Sequence, residues 1–268
     1  MLKHRVMAAL VFVPLLLWAT YSGGFFLHGL CALICVLMYW EYQRMANVSH
    51  GVVARVVGYV LVLAAYASRS GLITIPLVND GIWAVIGLAV LSVVLVGSID
   101  IATAARRAET MLLGIFYCAG LLPYYAQLRH MDQGLYAAGM VLLCVWLSDT
   151  AAYFAGRAFG RHRLCPQVSP GKTIEGALAG LCASVAVGGI FVAAGWVLPG
   201  KTWVIGALLG LMVGVAGIVG DLCESLLKRS YGVKDSSQLI PGHGGFLDRF
   251  DSLIFAAPVA YYGILFLA

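Results

Sequence analysis

The chain has 268 residues, 62% of them hydrophobic and 11% charged, with a formal net charge of +5 and a mean hydropathy of +0.93. A soluble globular domain carries about 25% charged residues and a disordered chain lacks apolar surface to bury, so both classes are excluded. The 17 Lys and Arg residues form no basic tail or stripe, which leaves a polytopic membrane protein with no nucleic-acid partner.

Apolar runs between charges predict an all-α, polytopic helical membrane protein with about nine transmembrane helices. They lie at roughly 6–21, 25–42, 52–68, 82–98, 111–128, 134–156, 175–198, 203–221 and 252–268. The runs are continuous rather than alternating, which argues against a barrel. The first follows Lys3-His4-Arg5 like the core of a signal peptide, but no clear small-x-small cleavage site follows Trp18, so it reads as an uncleaved span. With the N-terminus inside, 14 Lys and Arg residues fall on the inner side and three, Arg69, Arg129 and Lys201, fall outside. That split favours a cytoplasmic N-terminus, an outside C-terminus and an odd number of spans. The seven cysteines (Cys31, Cys35, Cys118, Cys144, Cys165, Cys182 and Cys223) sit mostly in apolar runs with no CxxC pair. They read as small hydrophobes rather than disulfides or a metal cluster.

The two halves differ in polarity. Residues 1–133 are apolar helix with short loops, a scaffold or dimerisation region. Residues 134–268 read as the catalytic region, with long cytoplasmic loops at 157–174 and 222–251. Seven of the 12 acids lie between Asp149 and Asp251. Small residues recur at every fourth position in the seventh and eighth spans. Gly176, Gly180, Ser184 and Gly188 line one face, and Gly206, Gly210 and Gly214 line another. Such stripes let helices approach closely, which would hold the loop before the seventh span near the loop after the eighth.

Taken in chain order, the first polar feature is Asp149, inside the sixth span between Ser148 and Thr150. An acid there is either functional or hydrogen-bonded to another helix. Next, Ser169-Pro170-Gly171-Lys172-Thr173-Ile174-Glu175-Gly176 imitates a P-loop in its Gly-Lys-Thr triplet. The pattern fails, because Pro166 stands where its first glycine belongs and a membrane span precedes it instead of a strand. Lys172 and Thr173 nonetheless begin a helix, where anions bind well. If the eighth span continues as a helix, Asp221, Ser225 and Lys228 share a face, with Glu224 beside them. A solvated ion pair would account for them. Asp221 also ends an apolar run, where a lone carboxylate is costly, and this favours a functional role.

Pro241-Gly242-His243-Gly244-Gly245 is either a simple turn or a loop whose N–H groups converge on an anion. His243 is a general acid or base, a phosphate donor or a loop residue. Asp248 and Asp251 then share a face at a helix N-terminus and would repel unless a cation joined them. Mg²⁺ commonly takes one or two carboxylates plus substrate phosphates. Lys228, Arg229, Lys234 and Arg249 would neutralise phosphate oxygens. Acids for a metal and bases for phosphates in one segment point to phosphoryl or nucleotidyl transfer.

The ordered run Ser225-Leu226-Leu227-Lys228-Arg229-x4-Lys234-Asp235-x5-Pro241-x-His243-Gly244-Gly245-x2-Asp248-Arg249-x-Asp251 spans 27 residues. It resembles the signature of the phosphatidate cytidylyltransferases (CDP-diacylglycerol synthases), as do Ser148-Asp149-Thr150 and Ser169-Pro170-x-Lys172-Thr173-x-Glu175-Gly176. The likeness is specific over about 145–255. It implies Mg²⁺-dependent conversion of CTP and phosphatidate to CDP-diacylglycerol and pyrophosphate, in a multi-pass protein of a bacterial cytoplasmic membrane. It also implies a homodimer and a K⁺ beside the Mg²⁺. On this reading Asp221 and Asp248 hold the metal, with Asp251 as second choice. Lys172, Lys228, Arg229, Lys234, His243 and Arg249 act on the reacting phosphates. Ser169, Thr173, Ser225, Gly244 and Gly245 bind substrate. A CTP-dependent lipid-alcohol kinase or a cytidylyltransferase for another lipid phosphate shares the general chemistry. The D-G-x2-A-R-x8-G-x3-D-x3-D pattern of CDP-alcohol phosphotransferases is absent. A transporter would place its ionisable residues near the midplane on broken helices, whereas these crowd one surface, with Asp149 the main exception.

The charge split predicts that a reporter fused after Ala268 is active only outside the cytoplasm. Cytoplasmic activity of that fusion would overturn the orientation.

Overall fold

Backbone polar groups in a bilayer find no water, so apolar segments satisfy them internally as helices. The computed structural model describes residues 2–73, 76–97, 101–240 and 244–268, apart from the side chains of 2–9 and 76–80. In chain order the helices are α1 (Leu2–Ser22), α2 (Gly24–Ala46), α3 (Val52–Arg69), α4 (Pro76–Gly97), α5 (Ile101–Ile115), α6 (Pro123–His130), α7 (Gly134–Phe159), α8 (Ile174–Ala193), α9 (Trp203–Ser230) and α10 (Leu247–Leu267). A π turn, Phe116–Gly120, joins α5 towards α6. Strands β1 (Arg163–Cys165) and β2 (Ser169–Thr173) form an antiparallel hairpin, with Arg163 opposite Thr173 and Cys165 opposite Ser169.

Seven described helical stretches are long and apolar enough to cross a bilayer, with Ile101–His130 taken as one of them. Leu10–Ser22 and Gly81–Gly97 are shorter apolar helices. Large apolar side chains such as Phe25, Val96 and Phe266 are 87%, 88% and 88% exposed, as suits a surface solvated by lipid. The chain is an all-α, multi-pass membrane protein.

The predicted apolar runs lie largely on helices, but several ends move. The stretch predicted at 111–128 begins at Ile101, because α5 carries Arg106, Arg107 and Glu109 within the helix. α9 continues through the charged residues after Asp221 to Ser230, and α10 starts at Leu247, so the loop predicted at 222–251 contracts to 231–246. The loop predicted at 157–174 is the last turn of α7 followed by the β1–β2 hairpin. The common cause is that charges mark where an apolar slab ends, while a helix can run on past it.

The chain divides into two compact units, 1–127 with 235–249 and 128–234 with 250–268. In the first, Tyr39 and Tyr42 of α2 occupy the space left open by Gly58 of α3 and Gly114 of α5. Two pairs of its interior polar groups meet: the Thr20 and Tyr125 hydroxyls at 2.8 Å, and His28 Nδ1 with the Tyr66 hydroxyl at 2.9 Å. In the second, α8 packs against both α7 and α9. The small-residue stripes are the contact surfaces. A Cβ on Gly180 would lie 2.6 Å from Ser148 Oγ, and one on Gly188 would lie 2.8 Å from Gly210 Cα. Cys144 and Ser184 join α7 to α8 through reciprocal bonds to each other's carbonyls. All seven cysteines are free thiols.

Close helix contact of this kind predicts that Gly210→Val destabilises the protein by about 1–3 kcal/mol through overpacking. Gly139→Ala, on α7 with nothing within 4 Å of the added carbon, should not. Thermal midpoints of the two variants in detergent test the contrast.

Candidate active site

Within the second unit, the ends of α7, α8 and α9 and the hairpin enclose a cavity of about 500 Å³. Its lining includes Asp149, Arg157, Arg163, Lys172, Thr173 and Asp221. Thr173 closes β2 and caps α8, its Oγ1 accepting from Gly176 N at 3.1 Å. Glu175, in the first turn of α8, accepts from the His162 amide at 3.2 Å and contacts His162 Nδ1 at 2.7 Å, which fastens the start of the hairpin. The Gly-Lys-Thr triplet is therefore a strand running into a helix cap. Gly176 is required because an added Cβ would approach the Ala152 carbonyl to 2.7 Å. Lys172, at the end of β2, forms an ion pair with Asp221 of α9. The loop before the seventh predicted span and the eighth span's end thus meet, as the glycine stripes led one to expect.

Further along α9, Glu224 is buried and Lys228 pairs with it one turn on, Nζ to Oε2, at 2.5 Å. Ser225 is buried beside them. Arg229 donates through Nε to the Val168 carbonyl at 3.3 Å and through Nη1 to the Val233 carbonyl at 3.1 Å. It thereby ties the turn of the hairpin to the end of α9. Gly217 and Gly220 let α10 approach: a Cβ on Gly220 would contact the Asp251 carbonyl and Phe255. That approach brings Asp251 within electrostatic range of Asp221, Glu224 and Asp149.

In the first unit, the segment leading into α10 is organised around two carboxylates. Asp248 Oδ2 accepts from Ser236 N at 3.0 Å, Ser236 Oγ at 2.8 Å and Gly245 N at 2.8 Å. Gly244 has φ +80, and a Cβ there would lie 2.6 Å from Asp248 Oδ2, so both conformation and space demand glycine. Glu41 of α2 is fully buried. Its oxygens accept from Ser237 Oγ at 2.6 Å, Leu247 N at 2.8 Å, Phe246 N at 2.9 Å and Ser236 Oγ at 3.1 Å. Predicted site residues thus fall into two groups, Ser169, Lys172, Thr173, Asp221, Ser225, Lys228, Arg229 and Asp251 in one unit and Gly244, Gly245 and Asp248 in the other. Lys234 and Arg249 are exposed. His243, with Pro241 and Gly242, lies outside the described residues.

No three His, Cys, Asp or Glu side chains among the described residues are grouped so as to hold a metal by themselves. Mg²⁺ does not ask for three, since phosphate oxygens and water complete its shell. Asp221 and Asp251 would supply one or two hard oxygen donors, in a cluster of acids whose mutual repulsion a cation would relieve. The donor set fits that ion.

A model of the cytidylyltransferase family matches residues 3–267. The chain belongs to the cytidylyltransferase family. Curated phosphatidate cytidylyltransferases align over almost the whole length. That of Synechocystis sp. is 35% identical over 98% of this chain and 97% of its own. The Haemophilus influenzae protein is 34% identical over 99% of each. The Pseudomonas aeruginosa protein is 37% identical over 97% of this chain and 95% of its own. Membership in this family makes the chain an enzyme, a nucleotidyltransferase.

Two features of this cytidylyltransferase went unread in the sequence. Arg157 and Arg163 line the cavity beside Lys172, but were counted only as inner-side charges. Glu41 lies in an apolar helix between Trp40 and Tyr42. Like Asp221, it is a lone carboxylate in an apolar run, which is costly unless compensated. Glu41→Ala would leave the Ser237 hydroxyl and the Phe246 and Leu247 amides without this acceptor, at up to about 1–3 kcal/mol each. Amide exchange at Phe246 and Leu247 should accelerate at least about tenfold in that variant, as read by hydrogen–deuterium exchange.

Proposed function

We propose that this enzyme transfers CMP from CTP to phosphatidate, forming CDP-diacylglycerol and pyrophosphate, at the cytoplasmic face of a bacterial inner membrane. The observation that carries the reading is the cavity in which Lys172, Arg157 and Arg163 stand beside Asp221, in a chain that matches phosphatidate cytidylyltransferases end to end.

The chemistry sets modest demands on the protein. The nucleophile is a phosphatidate oxygen, already anionic near neutral pH, so no strong base is needed. The difficulty is to bring two anions together in line, and cations with fixed geometry meet it. In the ground state the Lys172 ammonium compensates Asp221. An incoming phosphate competes for that ammonium, and Arg157 and Arg163 add charge at the same wall. Lys228 is held by Glu224 and Arg229 by two backbone carbonyls. Both set the cationic face of α9 in place before substrate arrives, which lowers the reorganisation required. Asp221 and Asp251 would hold Mg²⁺. When bound, the ion neutralises nucleotide phosphates and stabilises the leaving pyrophosphate. The homodimer and the K⁺ that the family resemblance implies belong to the same reading.

The deciding experiment incubates purified protein with CTP and a panel of lipid phosphates, with and without Mg²⁺. Phosphatidate-dependent pyrophosphate release that EDTA abolishes is expected. Release without lipid, or preference for a non-diacyl phosphate, would replace the proposed acceptor. Asp221→Asn should lower kcat at least about 100-fold with an unchanged thermal midpoint. Near-normal turnover at saturating Mg²⁺ would remove Asp221 from the metal role. Lys228→Ala should lower kcat/KM, and an unaltered value would count against a phosphate role for this helix face.

A further inference from the structure

A second cavity, of about 680 Å³, opens in the first unit where α2 ends and α3 begins. None of its lining residues belongs to the catalytic signature. Arg44 at the end of α2, His50 in the connecting loop and Arg55 in the first turn of α3 line it, together with Trp40 and Tyr59. No acidic residue lines it, among the described residues. Arg44 is held over the Trp40 ring, 5.1 Å from its centroid, and Arg55 donates through Nε to the His50 carbonyl at 3.1 Å. Both guanidiniums keep further N–H groups in fixed orientation.

His50 is the unusual member. Only 7% of it is exposed, yet neither ring nitrogen has a hydrogen-bond partner among the described residues. A buried imidazole in that state forfeits the bonds it would make in water, which is costly unless a ligand supplies them. Its surroundings are cationic: burial first, then Arg107 of α5 and Arg55, hold its pKa below the usual value. The ring is therefore neutral at neutral pH and always presents one N–H, whichever tautomer forms. α3 adds to this, because Gly51 at its start offers no side-chain cap and leaves the first N–H groups without an intrahelical acceptor.

We propose that this cavity binds a phosphate group, at a site separate in its residues from the nucleotidyl-transfer site. A phosphate accepts from the His50 N–H, from Arg44 and from Arg55 together, and its charge answers the local excess of cations. The site lies between the ends of two helices long enough to span a bilayer, Gly24–Ala46 and Val52–Arg69, and so at the water boundary. Phosphate is available there from an anionic lipid headgroup or from solution.

The test uses the purified full chain in uncharged detergent micelles. Its thermal midpoint is followed as phosphatidylglycerol is titrated in one arm and inorganic phosphate in another. Arg44→Gln and Arg55→Gln change exposed side chains and should fold normally. Lys201→Gln, in the second unit, is the control. A rise in midpoint that needs about tenfold more ligand in both arginine variants, but not in the control, supports the site. A rise with phosphatidylglycerol alone identifies the headgroup, and a rise with inorganic phosphate identifies a soluble ligand. No rise with either probe, or a rise of equal affinity in wild type and both variants, overturns the proposal.

Discussion

Every ionised carboxylate at the edge of an apolar helix has to be compensated, and this requirement organises both units of the protein. Asp221 is compensated by an ammonium from the far side of its cavity, Lys172. Glu224 is compensated by Lys228 one turn along its own helix. Asp248 and Glu41 are compensated by backbone amides and hydroxyls of the 236–247 segment. On the proposed function the first arrangement is exchanged for a substrate phosphate; the last is closed, with the carboxylate consumed in holding a loop. Chemistry is therefore expected where the compensation is ionic and accessible, and architecture where it is hydrogen-bonded and buried.

Glycine decides how near these charges come to one another. Gly176 and Gly180 seat α8 on α7, Gly206 and Gly210 seat α9 on α8, and Gly220 seats α10 on α9. With larger residues the helices would stand off, and neither the Lys172–Asp221 pair nor the approach of Asp251 to Asp221 would form. Side-chain volume at positions that carry no charge thus sets the electrostatics of positions that do. The hairpin adds a second constraint: Glu175 fastens its start and Arg229 its turn, so Lys172 is delivered from a strand with both ends held.

The cavity between the ends of α2 and α3 shows the opposite condition. There the cations Arg44 and Arg55 flank a histidine whose ring has no hydrogen-bond partner, and no carboxylate lines the wall, among the described residues. An excess of positive charge at a membrane boundary is answered most directly by phosphate, the anion most abundant at that surface.

Much of this was legible in the residues alone. Composition and unbroken apolar runs determine a multi-pass helical protein, because the bilayer selects for length and hydropathy along the chain, both local properties. The spaced signature from Ser225 to Asp251 determined the family, and the glycine stripes determined that α8 and α9 pack closely. The apolar runs end short of the helices at α5, α9 and α10 because charge marks the edge of the apolar slab and not the end of hydrogen bonding. Only the tertiary structure decided the partners. Glu41 reaches groups 195 to 206 positions away, and Asp248 and Asp251, neighbours on one helix face, engage different partners. No periodicity records such pairings, because they arise from which surfaces the folded helices bring together, and that depends on the packing of the whole unit.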